Sequence, residues 1–263
     1  MTRFDFPPRR VFRLLLVLIA VMLVLHFVSV ALVARAGGLE GVAWWAYTYL
    51  NLDSEDSIPT AYSVVMLALV AIVAAQLMLS TRGTQRAGWG LIALVFALIS
   101  WDEGATIHET VGYQLQQRIE GIERVNPYSW VLVGAPLAIL FGIVAIGLLR
   151  SLPLGVLLRM VAAGVIFLTG AAGLEFQAGA LFDTGRDGMT PLMLSLSGVE
   201  ELFEMLGVAL FFRVLLDYRA AVEEAAGIRV VRDLQDVSEG AAGRSYRRRR
   251  DLAAGSRDGA SVA

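Results

Sequence analysis

Apolar positions in this chain come in long unbroken runs, separated by short polar connections. The first runs from about Val11 to Val33, close to the roughly 20 residues an α-helix needs to cross a bilayer. Further runs follow at about 58–79, 88–109, 129–149, 154–181 and 191–216. The pattern predicts an all-α, polytopic membrane protein. A six-helix bundle is expected over residues 11–218, with a short segment, 1–10, before it and a charged, partly disordered tail, 219–263, after it. The first run is too long for the apolar part of a signal peptide, about 7–15 residues, so it is read as a retained helix.

The connections carry their own signals. Gly37 to Asp56 holds Trp44, Trp45, Tyr47 and Tyr49, rings that favour the membrane–water boundary, and a short interfacial helix is expected there. Ser57 or Asp56 is placed to cap the second span, with Pro59 in its first turn, where a missing N–H costs nothing. Asn126-Pro127 breaks the chain, and Tyr128 and Trp130 are read as anchors of the fourth span.

Composition narrows the chemistry. The chain is 57% hydrophobic and 17% charged, and it lacks cysteine, which removes disulfides and thiolate metal ligands. Every basic side chain apart from the two histidines is arginine. With six spans, all arginines except Arg35, Arg118, Arg124 and Arg186 fall on the side of the two tails. By the positive-inside rule both termini are therefore expected in the cytoplasm.

That orientation assigns a depth to each residue unusual for a membrane. Asp102, Glu103, His108 and Glu109 close the third span. Glu175 stands near the end of the fifth, and Glu200, Glu201 and Glu204 stand near the middle of the sixth. Asp53 and Glu55 lie at the mouth of the second, and His26 lies in the first. All fall in one half of the bilayer. On ideal helices Asp102, Thr106 and Glu109 share a stripe, as do Ser197, Glu200 or Glu201, and Glu204; Glu175 lies on a face with Ala171, Ala172 and Gly179. His108 is turned about 120° from Asp102 on a straight helix. It reaches the site only if Gly104 bends the helix or the site lies at the helix end.

Carboxylates buried without cationic partners are protonated, hydrated or bound to a cation. Ordinary readings stand beside this one. The Glu200–Glu204 group can serve packing alone, and the third span can leave the membrane at Trp101 with solvated acids beyond. His26 reads best as a satisfied interior histidine, and Asp53 and Glu55 as a helix cap and a solvated loop. The Arg247–Arg250 run is expected to meet anionic lipid headgroups. No nucleic-acid role is expected, and phosphate loops and the HExxH, GxSxG and CxxC motifs are absent.

Four segments together resemble an uncharacterised group of bacterial inner-membrane proteins. They are Leu52-Asp53-Ser54-Glu55 leading to Pro59-Thr60, Asp102-Glu103 leading to His108-Glu109, Leu174-Glu175-Phe176, and Glu200-Glu201-Leu202-Phe203-Glu204-Met205-Leu206-Gly207. The resemblance implies the same fold, a bacterial inner (cytoplasmic) membrane location and the same site, without an activity. Intramembrane zinc hydrolases of the ceramidase and progestin-receptor type are a looser likeness, and with two histidines and no HxxxH their zinc site has no counterpart here.

Two functional readings follow. In the first, Asp102, Glu103, His108, Glu109, Glu175, Glu200, Glu201 and Glu204 supply a divalent-metal site for an oxidoreductase or hydrolase acting on a lipid-like substrate. A sulfur-free oxygen and imidazole set suits iron, manganese or zinc, or magnesium or calcium without the imidazole. In the second, the acids form the proton or cation path of a carrier, or the acidic group is structural in an accessory subunit of a membrane complex.

Overall fold

The computed structural model describes residues 7–122, 128–177 and 190–225. Among them are eight α-helices and no strand. We number them α1 (Pro8–Ala36), α2 (Gly41–Leu50), α3 (Ile58–Ser80), α4 (Gly83–Ala105), α5 (Ile107–Arg118), α6 (Val131–Leu149), α7 (Leu154–Leu168) and α8 (Pro191–Ala225). Five helical stretches are long and apolar enough to cross a membrane: α1, α3, α4, α6, and Leu154–Gln177, which includes α7. The chain is therefore a multi-pass membrane protein by helix length and composition. Of the six expected spans, the last differs in kind. Helix α8 is 35 residues long, but Glu200, Glu201, Glu204, Arg213 and Asp217 interrupt its apolar character.

Helix α1 opens with Pro8 at its first position and closes at Gly37, whose φ of 71° is left-handed. Its buried side chains, Leu15, Ile19, Met22, His26, Ser29, Val30 and Val33, recur every three or four residues. That places one stripe against the bundle. Leu14, Val17, Leu18, Val21 and Val24 face outward, as a lipid-facing surface does. In lipid, burying apolar surface gains little, so packing contacts rather than water exclusion hold such helices together. Trp89 is fully buried and lies against Tyr218, ring centroids 5.5 Å apart, and Phe96 stacks on Phe211 at 5.0 Å.

Helices α3 and α4 form a hairpin about the turn at Thr81–Arg82, tied along its length by Ser100 Oγ donating to Val64 O at 2.9 Å. Ser57 caps α3, accepting from the Thr60 N–H at 3.1 Å, and Pro59 sits in the first turn as expected. The aromatic connection does contain a helix. On α2, Trp44, Trp45 and Tyr49 are exposed and packed on one another, with centroids 5.0 and 5.3 Å apart.

Three spans depart from the expected bounds. The third was expected to continue through Glu109, but α4 ends at Ala105. Thr106 adopts a left-handed backbone (φ 51°, ψ 39°), and α5 begins anew. The fifth was expected as one α-helix over 154–181. After Leu168 it becomes a π-helical turn, Thr169–Leu174, before resuming at Glu175, and residues beyond 177 lie outside those described. The last helix runs to Ala225 rather than ending near 216.

The chain divides into two units, residues 1–218 and 219–263. Within the second, Arg219 Nε donates to Glu223 at 2.7 Å. The Arg247–Arg250 run, the 183–188 loop and the Asn126-Pro127 break lie outside the described residues.

Candidate functional site: an acid-lined cavity

A cavity of about 860 Å³ opens at the end of the bundle that holds the 51–57 loop, the Thr106 break and the start of α6. That volume is at the upper end of the roughly 300–1,000 Å³ of pockets that enclose small ligands. Asp53, Glu55, Asp102, Glu103, Glu109, Glu175, Glu200, Glu201 and Glu204 all line it. Among the described residues His108 is the one basic side chain in the lining. These side chains share one lined space. It is not a finished ligand shell. Among the described residues, no group of three or more His, Asp or Glu side chains is close enough to hold a metal ion as it stands.

The break at Thr106 builds the most ordered part of the site. Asp102 Oδ1 accepts the backbone N–H of His108 at 2.8 Å, and Asp102 Oδ2 meets His108 Nδ1 at 3.1 Å. The carboxylate therefore caps the first turn of α5 and orients the imidazole at once. On a straight helix the two would face apart. The bend is at Thr106, not Gly104, and it replaces the expected Asp102–Thr106–Glu109 stripe. With Nδ1 committed to Asp102, Nε2 is the nitrogen left to exchange a proton or to bind a ligand. Burial alone would lower the imidazole pKa, but the hydrogen bond and charge of Asp102, with Glu175 and Glu55 farther off, carry it up to about 9.

Trp130 was read as a membrane anchor, and it is a wall of the cavity instead. Its indole Nε1 donates to Glu175 Oε1 at 2.8 Å, and its ring lies 5.1 Å from that of His108. The π-helical turn just before Glu175 breaks the regular α-helical phase, so the face expected from an ideal wheel no longer applies. Single π turns often occur at functional sites. Close approach needs a glycine here: a Cβ on Gly170, inside the π turn, would stand 2.6 Å from Glu200 O and 2.8 Å from Glu204 Cγ.

Asp53 and Glu55 belong to the cavity as well. Asp53 exposes surface, but that surface faces the cavity while protein encloses the rest of the side chain. Burial raises its pKa to about 6, against the lowering effect of a hydrogen bond from Ser197 and with a further rise from Glu109. Burial and the neighbouring Glu109 and Glu103 raise Glu55 to about 7, with His108 opposing. Tyr128, at the mouth, is pushed up by burial, then by Asp53, Glu175, Glu200 and Glu109, so its hydroxyl stays a donor.

The deeper acids form one continuous electrostatic group: Glu200 has Glu175 and Asp53 as charged neighbours, Glu201 has Glu204 and Glu103 and then Asp53 and Glu200, and Glu204 has Glu103, Glu200 and Glu175. Beside Glu103 and Glu204 lies a void of about 10 Å³ that Tyr62 also borders. The Tyr62 hydroxyl is buried there without a hydrogen-bond partner among the described residues.

His26 does not join the cavity. Fully buried, it accepts the Leu52 N–H on Nδ1 at 3.2 Å, which leaves Nε2 protonated to donate to Leu194 O at 3.0 Å. That neutral tautomer ties α1 to α8 and to the residue preceding Asp53, so its part in the site is to position the 51–57 loop. Of the other cavity residues, Tyr113, Gln116 and Trp130 gave no sequence signal apart from position, because an aromatic or amide at a helix end reads equally well as a boundary residue.

No curated protein and no solved structure matches the chain. A family model matches residues 13–218, from α1 into α8, and so takes in every residue described as lining the cavity. The chain belongs to the family described as "Domain of unknown function (DUF8692)".

Proposed function

We propose that this membrane protein binds a cation, first of all a divalent metal, at the acid-lined end of its cavity and uses it on a lipid-like molecule, as a hydrolase or an oxidoreductase. In this reading α8 is a sixth span, both ends of the span domain are cytoplasmic, and the membrane is a bacterial inner membrane. The acids then lie in the periplasmic half. One observation carries the reading: among the described residues, nine carboxyl groups, one imidazole and no arginine line a single cavity. Charges of one sign at such density require protons or a cation. Glu103, Glu201 and Glu204, of which Glu103 and Glu204 border the small void at Tyr62 and Glu201 has both as its first charged neighbours, are the set a metal would draw together. Carboxylate oxygens of this kind suit manganese, iron, zinc, magnesium or calcium. A bound metal would supply an activated water or a Lewis acid. The Asp102–His108 pair would hold and release a proton at Nε2.

A proton- or cation-coupled carrier fits less well. The acids occupy one end of the cavity, and its other end is lined by apolar residues, among them Leu149, Leu157 and Met160. The test is elemental mass spectrometry of the detergent-purified protein beside a Glu201→Gln, Glu204→Gln double variant. A divalent metal near one per chain, lost in the variant, is expected. A folded wild type without metal would refute the metal site and leave a protonated acid group and the carrier to be pursued.

A further inference from the structure

The cavity continues well past its acids. Beyond them its walls are Ile139, Phe141, Leu149, Leu157, Met160 and Phe211, reaching the end of α6 opposite the mouth. A bare cation or a small polar substrate has no use for this space. Its outer wall is thin: only 11% of the most apolar window of α6 is buried, the least of the five candidate spans. Gly142 and Gly164, one on α6 and one on α7, line the cavity with nothing within 4 Å of where a Cβ would stand. The shape is that of a head compartment with an apolar arm beside the bilayer.

Charge describes the head. Nine carboxyl groups and, among the described residues, one imidazole line that end of the cavity. Glu175 and Asp53 are the first charged neighbours of Glu200, in a continuous acidic group that also takes in Glu201 and Glu204. The Glu201 and Glu204 side chains are half-buried and line the cavity. A cationic head can take the place of the protons such a group otherwise holds, whereas an anionic head is repelled by every carboxylate that stays ionised.

We propose that the occupant is a single-chain amphiphile with a protonated amine head, its nitrogen held by Asp53, Glu175 and Glu200 and its alkyl chain lying in the arm between α6 and α7. This rests on the reading of the acidic end as a cation site and names the substrate class of that site. A chain already dissolved in the bilayer gains little by moving into an equally apolar arm. The arm therefore decides which molecules fit, and the head decides which are selected.

The experiment measures binding of radiolabelled dodecylamine to the protein in lipid nanodiscs, with empty nanodiscs as the blank. Dodecanol, dodecanoic acid and butylamine compete at equal concentration. Dodecylamine is expected to compete at least about tenfold better than each of the three, a difference of about 1.4 kcal/mol. Glu200→Gln should cut binding about tenfold. A Gly142→Phe, Gly164→Phe double variant, which fills the arm, should abolish dodecylamine binding while leaving metal content at the wild-type level.

Equal displacement by dodecanol or dodecanoic acid overturns the amine head, and equal displacement by butylamine overturns the arm. These wild-type competitions decide the matter if either variant fails to fold. Dodecylamine binding without metal would overturn the metal reading alone. Metal without a preference for the amine would overturn this inference alone.

Discussion

Gly198→Ala is the sharpest test of how the site is held. A Cβ at Gly198 would overlap His26 Nε2 and come within 2.5 Å of Cδ2 and 3.0 Å of Cε1. The ring is fully buried and clamped between Leu52 N and Leu194 O, so it cannot swing away without losing both hydrogen bonds. Overpacking of this kind costs about 1–3 kcal/mol. Leaving the buried Leu52 N–H without a partner adds about 1–3 kcal/mol. The better helix propensity of alanine returns about 1 kcal/mol. The net expectation is a loss of ~3 kcal/mol, read by unfolding in mixed micelles on titration with dodecyl sulfate. Gly164→Ala, which meets open space, serves as the control and should be neutral or slightly stabilising. In a His26→Ala background the Gly198→Ala cost should vanish, because the clash and the hydrogen bonds are gone together. An equal cost in both backgrounds, or a cost below about 0.5 kcal/mol in the wild type, would refute the clamp.

Other outcomes follow from the same geometry. Asp53, Glu55 and His108 all have folded pKa values above their ordinary ones, at about 6, 7 and 9. In each case the folded state binds more protons between the ordinary and the raised value, so stability must fall as pH rises across that window. Melting temperature should therefore decline from pH 5 to pH 9, and Glu55→Gln should flatten the part below pH 7; a rise with pH would contradict the site as described. Asp102→Asn removes the carboxylate that opposes burial at His108, so the imidazole pKa should drop by more than one unit in the ¹⁵N spectrum. An unchanged value would mean that another group holds the ring. Trp130→Phe deletes the donor to Glu175 Oε1, and hydrogen bonds to charged groups contribute about 1.5–3 kcal/mol. The variant should therefore melt below wild type, and an unchanged melting temperature would contradict the bond.

The sequence by itself determined the class of the protein and the end of the bundle where its chemistry gathers. Runs such as Val11–Val33 admit one cheap solution in lipid, a helix that satisfies its own backbone, so helix existence is a local property. The acids of the third, fifth and sixth expected spans and of the loop before the second were expected at one end because span length and alternating direction set depth. Only the tertiary structure decided which side chains face one another. The left-handed Thr106 turned His108 onto Asp102, and the π turn rephased Glu175; each rests on a local departure from the ideal helix that no hydrophobic pattern encodes. Long-range packing likewise decided the roles of the two histidines, which look alike in sequence. His26 is used up on backbone groups of residues 52 and 194, while His108 keeps one nitrogen for the cavity. A hydrogen bond between residues 168 positions apart is set by how helices dock, and docking in lipid depends on side-chain shape rather than on apolarity, which every span shares.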